Sequence, residues 1–203
     1  MTLTIYDNLH SVYARRVRLL AAELELPLVR VTLDYFKGDL GTPAHLARNP
    51  GGRIPALDDD GFVVWESIAI VKYLAALRPE RGMSPAGARE RAIIDQWLNW
   101  WTAHPAAAIA ALAQERLVKP MKGEAGHAAN IIAAAEAALA RDLPILEAQL
   151  SGRDYVLGDL GVVDFVIGPQ IAALEKVGVA VGDYPHIQAL AQRMQAKPYW
   201  AEA

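Results

Sequence analysis

Two short strand patterns bracket one helical pattern within the first 33 residues. Thr2-Leu3-Thr4-Ile5-Tyr6 alternates polar and apolar residues, as a half-buried strand does. Asp7-Asn8-Leu9-His10 reads as a loop, and Ser11 as the cap of a helix. Apolar residues then fall at Val12, Val17, Leu19, Leu20, Leu24 and Leu26, with Arg15, Arg16, Arg18 and Glu23 assigned to the polar side. Pro27 ends the helix, and Leu28 to Leu33 forms a second β-branched run. Strand, helix and strand in that span imply a parallel pair joined by a right-handed crossover.

A polar stretch with glycines follows from Lys37 to Thr42, then a short helix at Pro43 to Arg48. Ile54-Pro55-Ala56-Leu57 and Phe62-Val63-Val64-Trp65 flank Asp58-Asp59-Asp60-Gly61, a hairpin with glycine at a positive φ. Glu66 to Leu77 is helical, with Ile68, Ile70, Val71, Leu74 and Leu77 on its apolar side. Residues 1–79 are therefore expected to form a small four-stranded α/β layer. Pro79, Gly82, Pro85 and Gly87 mark a linker, and residues 86–203 hold alanine-rich helical patterns near 88–117, 124–150, 164–176 and 184–196. The fold class is thus α/β followed by an all-α bundle, and 203 residues are enough for two such small domains.

Several chemistries are excluded by what the chain lacks. It has no cysteine, which removes disulfides, thiolate metal sites and any mechanism needing a protein thiol, and fits a cytoplasmic location. The 20 basic and 23 acidic residues leave no positive excess to neutralise phosphates, so nucleic acid is not an expected partner. His, Asp and Glu show no metal-ligand spacing, so no metal is expected. No apolar run of about 18 residues suggests a membrane span, and MTLTIYDNLHS has no leader-like basic flank and apolar core.

Three local features remain as candidates for chemistry. Ser11 opens the first helix, Asn49 to Leu57 carries Pro55 at a strand start, and Glu66-Ser67 opens the helix after the hairpin. In a βαβ-plus-hairpin layer these loops can meet at one end of the sheet, where α/β folds bind ligands. Singly, each has a plainer reading as a helix cap or a turn proline. Together the motifs resemble the glutathione transferase family over nearly the whole chain. Asn49-Pro50-Gly51-Gly52-Arg53-Ile54-Pro55-Ala56-Leu57 is similar to the family's N-P-x-G-K-V-P-A-L segment, and Trp65-Glu66-Ser67-Ile68-Ala69-Ile70 to its (F/L)-E-S-x-A-I segment. Ser11-Val12-Tyr13-Ala14-Arg15-Arg16-Val17 resembles the opening of the serine-type, theta- or phi-like classes.

The resemblance implies a thioredoxin-like domain followed by a helical domain that lines an electrophile pocket, in a homodimer. It implies glutathione as co-substrate. Ser67 then offers its hydroxyl and free helix N–H groups to the γ-glutamyl carboxylate, and Glu66 pairs with the ammonium. Arg53 belongs to the same binding segment. Ile54, before a cis Pro55, presents its peptide edge to the cysteinyl unit. Ser11 becomes the catalytic residue, a hydrogen-bond donor to the glutathione thiolate rather than a nucleophile. Tyr6 and Tyr13 are rivals for that donation.

Two departures from the family pattern stand out. Gly38-Asp39-Leu40-Gly41 lacks the His-Lys expected after Gly-Glu, so either Lys37 or His10 meets the glycyl carboxylate or the site binds more weakly. Gly161-Val162-Val163-Asp164 keeps the aspartate of a helix capping box without its hydroxyl. In the first bundle helix, Trp97, Trp101 and His104 fall on one face by spacing, and His104 is a candidate pocket base. The expected activity is conjugation of glutathione to hydrophobic electrophiles, a detoxifying reaction, with peroxide reduction as a side activity. The alternative is a related binding module with weak or no catalysis.

Overall fold

Leu3 and Ile5, the inward residues of the first strand, are 2% and 0% exposed, and the sheet is built around them. The computed structural model describes residues 2–124 and 128–203. Strand β1 (Leu3–Asp7) pairs in parallel with β2 (Leu28–Thr32) and antiparallel with β3 (Ala56–Asp59), which pairs antiparallel with β4 (Phe62–Trp65). The strand order is β2-β1-β3-β4, so β2 and β4 are the edges. This is the expected four-stranded layer. β3 starts only at Ala56, because Pro55 has no N–H to give a ladder. It runs on to Asp59, which leaves a two-residue turn at Asp60 (φ 48°) and Gly61 (φ 97°), the positive pair that a tight hairpin needs.

Helix α1 (Val12–Glu23) is capped by Ser11, whose Oγ accepts from Ala14 N at 3.2 Å. It ends before Pro27: Glu25 takes φ 55°, Leu26 N donates to Ala21 O at 2.8 Å and Glu25 N to Ala22 O at 3.1 Å. The polar side assigned to this helix is corrected by the fold. Arg16 and Arg18 are 2% and 5% exposed. Arg18 is held by Asp7, itself fully buried at the end of β1, and also donates to Leu9 O at 3.2 Å. Arg30 meets the same carboxylate at 3.1 Å. A charge enters the interior where such partners satisfy it. Helix α2 (Pro43–Arg48) links β2 to β3, and α3 (Ser67–Ala76) follows β4 and packs on α1.

The chain divides into two compact units, Met1–Gly87 with Lys197–Ala203, and Ala88–Ala196. The last residues thus group with the α/β unit, where Arg15 donates to Trp200 O at 2.7 Å and Tyr199 hydrogen-bonds Glu23. The second unit is helical: α4 (Ala88–Ala103), α5 (Pro105–Ala113), a π turn at Gln114–Val118, α6 (Lys119–Met121), α7 (Ala129–Leu150), α8 (Val162–Ile171) and α9 (Pro185–Gln195). The helix expected over 88–117 is broken at His104 by Pro105, which cannot continue the hydrogen-bond ladder. The start of the span expected from 124 falls on 125–127, outside the described residues. Trp101 is fully buried and donates from Nε1 to Gln170 Oε1 at 2.6 Å, a core role. At α8, Asp164 closes the cap alone, accepting from Gly161 N and Val156 N at 2.9 Å each.

Candidate functional site

Sheet register decides which loops meet. Tyr6 lies opposite Ala56 and Ala56 opposite Trp65, so the end of β1, the start of β3 and the end of β4 share one end of the sheet. Asp7 lies opposite Thr32 in parallel, which brings the end of β2 there as well. Ser11, Ile54-Pro55, Glu66-Ser67 and the loop that carries Tyr35 and Lys37 all leave the sheet at that end.

Ser11 is 7% exposed and stands at the N-terminus of α1. Its oxygen accepts from Ala14 N, which leaves its O–H free to donate elsewhere. Its loop is braced from behind by the Asp7–Arg18 pair, with Arg18 bonding the carbonyls of Asn8 and Leu9. Tyr35 was not foreseen. Partial burial raises its phenol above the ordinary range, and the nearby Ser11 side chain offsets part of that rise. Nothing in the local pattern of Asp34-Tyr35-Phe36 distinguishes it from an ordinary loop aromatic. Of the rivals considered from sequence, Tyr6 has Arg48 over its ring at 4.2 Å and Tyr13 has Arg16 over its ring at 4.8 Å, contacts of the ring faces and not of the hydroxyls.

Ile54-Pro55 is joined by a cis peptide bond, and both residues are buried. Arg53 has an exposed side chain, while its carbonyl is held inward by His45 and Asn49 at 2.9 and 2.8 Å. Glu66 is exposed and adopts φ 72°, a left-handed conformation unusual for glutamate and concentrated at functional sites. Ser67, 6% exposed, begins α3 and accepts from Arg16 Nη1 at 3.1 Å. Arg16 was misassigned to a solvated face. Its spacing held a signal, since it is four residues from both Val12 and Leu20 and so shares their stripe.

The remaining candidates are exposed. His10 and Lys37 are exposed; Lys37 stands 3.6 Å from Asp34, and His10 N donates to Asn8 Oδ1 at 3.0 Å. His104 belongs to the helical unit, exposed at the α4–α5 break and on a groove with Ala107, Asn130, Ile131 and Arg141. It is exposed, whereas Trp101 is fully buried. Among the described residues, no group of three or more His, Asp or Glu is placed to hold a metal, and no helix is long and apolar enough to cross a membrane.

Comparison with known proteins matches two families: the glutathione S-transferase N-terminal domain over residues 1–76, and the glutathione S-transferase C-terminal domain over residues 106–198. A probable glutathione S-transferase of rice (Oryza sativa subsp. japonica), GSTF2, is 30% identical over 171 residues, 83% of this chain and 80% of that protein. The crystal structure of glutathione transferase F7 from Populus trichocarpa superposes with a TM-score of 0.88 at 28% identity, covering 99% of this chain and 97% of that one. A theta class glutathione S-transferase from Xanthomonas axonopodis pv. citri, with glutathione bound, gives a TM-score of 0.84 at 29% identity, covering 99% and 96%.

Proposed function

The chain belongs to the glutathione S-transferase family, and from that membership we propose that it joins the thiol of glutathione to soft, hydrophobic electrophiles. The observation that carries this reading is that two helix N-termini, at Ser11 and at Ser67, open at the same end of the sheet. Each gathers unpaired N–H groups and the positive end of a helix dipole, suited to one anion apiece. In the proposal the thiolate meets Ser11 and the γ-glutamyl carboxylate meets Ser67. Glu66 takes the ammonium, and the Ile54 peptide edge takes the cysteinyl unit. Arg53 belongs to the same segment, and Lys37 or His10 meets the glycyl carboxylate.

The chemistry follows from the thiol. A free thiol with a pKa near 8.5 is only about 3% ionised at pH 7. A hydroxyl donor and a helix N-terminus that lower this by about two units raise the thiolate to roughly three quarters. The thiol proton leaves to solvent, the sulfur forms a bond to the electrophilic carbon, and the displaced group departs with its electron pair. The same thiolate can attack a peroxide O–O bond, releasing an alcohol and leaving glutathione sulfenic acid, which a second glutathione converts to the disulfide and water; peroxide reduction is thus a side activity. Ser11 donates throughout and forms no covalent bond. These assignments make the enzyme serine-type.

The helical unit supplies the electrophile's contacts in this proposal, with His104 as a candidate. The protein works in the cytoplasm as a detoxifying homodimer. Calorimetric titration with glutathione, followed by turnover on a panel of aryl halides, isothiocyanates and hydroperoxides, tests the whole reading. Binding with turnover supports it; binding without turnover leaves only a binding module, and no binding ends it.

A further inference from the structure

Arg16 lies behind Ser67 rather than in the open site. It is 2% exposed, its Nη1 donates to Ser67 Oγ at 3.1 Å, and its guanidinium lies over the Tyr13 ring at 4.8 Å. A serine hydroxyl has one proton and two lone pairs, whereas a guanidinium has donors only. The lone pair facing Arg16 is therefore filled, and the Ser67 proton has to point elsewhere. Ser67 begins α3, so the remaining direction lies with the open N–H groups of that helix.

The bond thus sets the polarity of the hydroxyl. A serine free to rotate can either donate or accept; one that already accepts a charged hydrogen bond from behind is prepared to donate in front. The buried cation also adds its field. Burial pushes the Arg16 guanidinium down to about 10, which still leaves it charged at neutral pH. In a poorly solvated setting that charge reaches an anion beyond Ser67 with less screening than a surface cation would.

We propose that Arg16 is a positioning residue that turns Ser67 into a dedicated donor, making this end of the site specific for a thiol peptide with a free α-carboxylate on its γ-linked residue. The inference rests on the proposed placement of glutathione at Ser67. It adds a requirement that the placement alone does not contain: discrimination against a ligand that lacks this carboxylate depends on a side chain that never touches the ligand.

The test uses the full-length protein and two probes. One is glutathione; the other is γ-aminobutyryl-cysteinyl-glycine, which keeps the amine, thiol and glycyl end but has hydrogen in place of the α-carboxylate. Arg16→Lys and Arg16→Gln, checked for folding by circular dichroism and urea midpoint, should weaken glutathione about 10- to 100-fold, the scale of a hydrogen bond to a charged group. The decarboxylated probe should change by less than about threefold, so the wild-type preference collapses. In a Ser67→Ala background Arg16→Lys, which keeps the charge, should produce no further loss of preference, and Arg16→Gln only the smaller loss that its field accounts for. Equal weakening of both probes would assign Arg16 a merely structural role and overturn the proposal. A wild-type protein that binds glutathione but does not prefer it over the probe overturns the placement at Ser67 and this inference with it. Failure to bind either probe overturns the glutathione reading itself. Should both Arg16 variants fail to fold, a crystal structure of the wild-type complex decides. Ser67 Oγ within about 3 Å of both Arg16 Nη1 and a carboxylate oxygen supports the proposal, and any other partner for that hydroxyl overturns it.

Discussion

His45 Nε2 and Asn49 Nδ2 converge on one carbonyl oxygen, that of Arg53, at 2.9 and 2.8 Å. A carbonyl only accepts, so the His45 ring carries its proton on Nε2 and donates. Asn49 also closes the turn: its Oδ1 accepts from Gly51 N at 3.0 Å and its carbonyl from Gly52 N at 2.9 Å. Both side chains are buried, at 1% and 2% exposure. The segment leading into Ile54-Pro55 is therefore anchored from inside.

The first prediction concerns that anchor. Asn49→Ala should cost about 1–3 kcal/mol of stability, because it strips the Gly51 N–H of its partner and the buried Arg53 carbonyl of one of its two donors. His45→Leu should cost less, since Asn49 still satisfies Arg53 O. The double variant should lose more than the sum of the two, because only then is the carbonyl left bare. Urea unfolding of the four proteins measures this, and strict additivity would show that the two donors do not share one function.

Much of this arrangement could be read from the chain because it is local. The β1-α1-β2 unit, the two-strand hairpin and the Ser11 cap each depend on neighbours in sequence. The buried arginines depend on distant ones. Arg16 is explained by Ser67, 51 residues away, and Arg18 by Asp7 at the end of a strand. Periodicity assigned both to solvent because a charged residue ordinarily belongs there, and only tertiary partners reverse that preference. Tyr35 was missed for a similar reason: a loop aromatic announces no partner, and its contact with Ser11 exists only once β2 lies beside β1. The break at His104 was legible in Pro105, but the alanine-rich pattern around it outweighed one proline.

The second prediction concerns Ser67. Ser67→Ala removes the hydroxyl while leaving the N–H groups of α3 in place. Glutathione binding should weaken by about 1–3 kcal/mol, as expected for one hydrogen bond to a charged group. Calorimetry gives the affinity directly, and an unchanged dissociation constant removes Ser67 from the binding site.

A third prediction uses alkaline pH. The Tyr73 hydroxyl donates to Asp59 Oδ2 at 2.6 Å, and this bond to a carboxylate raises the phenol above its usual value. The folded protein then holds this proton to a higher pH than the unfolded chain does. The contribution is present in full below about pH 10, the unfolded value, and is lost as pH rises through the folded value. Wild type should therefore lose stability above pH 10 more steeply than Tyr73→Phe, with the gap between them shrinking as pH rises. Urea midpoints from pH 8 to pH 11 test this, and parallel curves would show that the bond contributes nothing.

The last prediction concerns Ser11 and separates its two jobs. As the cap of α1 it accepts from Ala14 N; as the proposed thiolate partner it donates its proton. Ser11→Ala removes both and should cost about 0.5–2 kcal/mol of stability, whereas Ser11→Gly, a tolerable cap, should cost only a few tenths. Both variants lack the hydroxyl. Both should therefore raise the pKa of bound glutathione by about 1–2 units, and turnover at pH 7 should fall roughly tenfold to a hundredfold. Raising the pH should recover much of that turnover, because the missing donor affects the charged state of the thiol rather than the binding of the peptide. Tyr35→Phe and Tyr13→Phe are the comparisons. Tyr35 is the sharper one, since its phenol lies near Ser11 and, protonated at neutral pH, can donate in the serine's place. Ultraviolet titration of the bound thiolate and pH–rate profiles distinguish the outcomes. A shift in both serine variants with none in Tyr35→Phe assigns the donor to Ser11. A shift only in Tyr35→Phe moves it to the tyrosine, and leaves the serine with its cap alone.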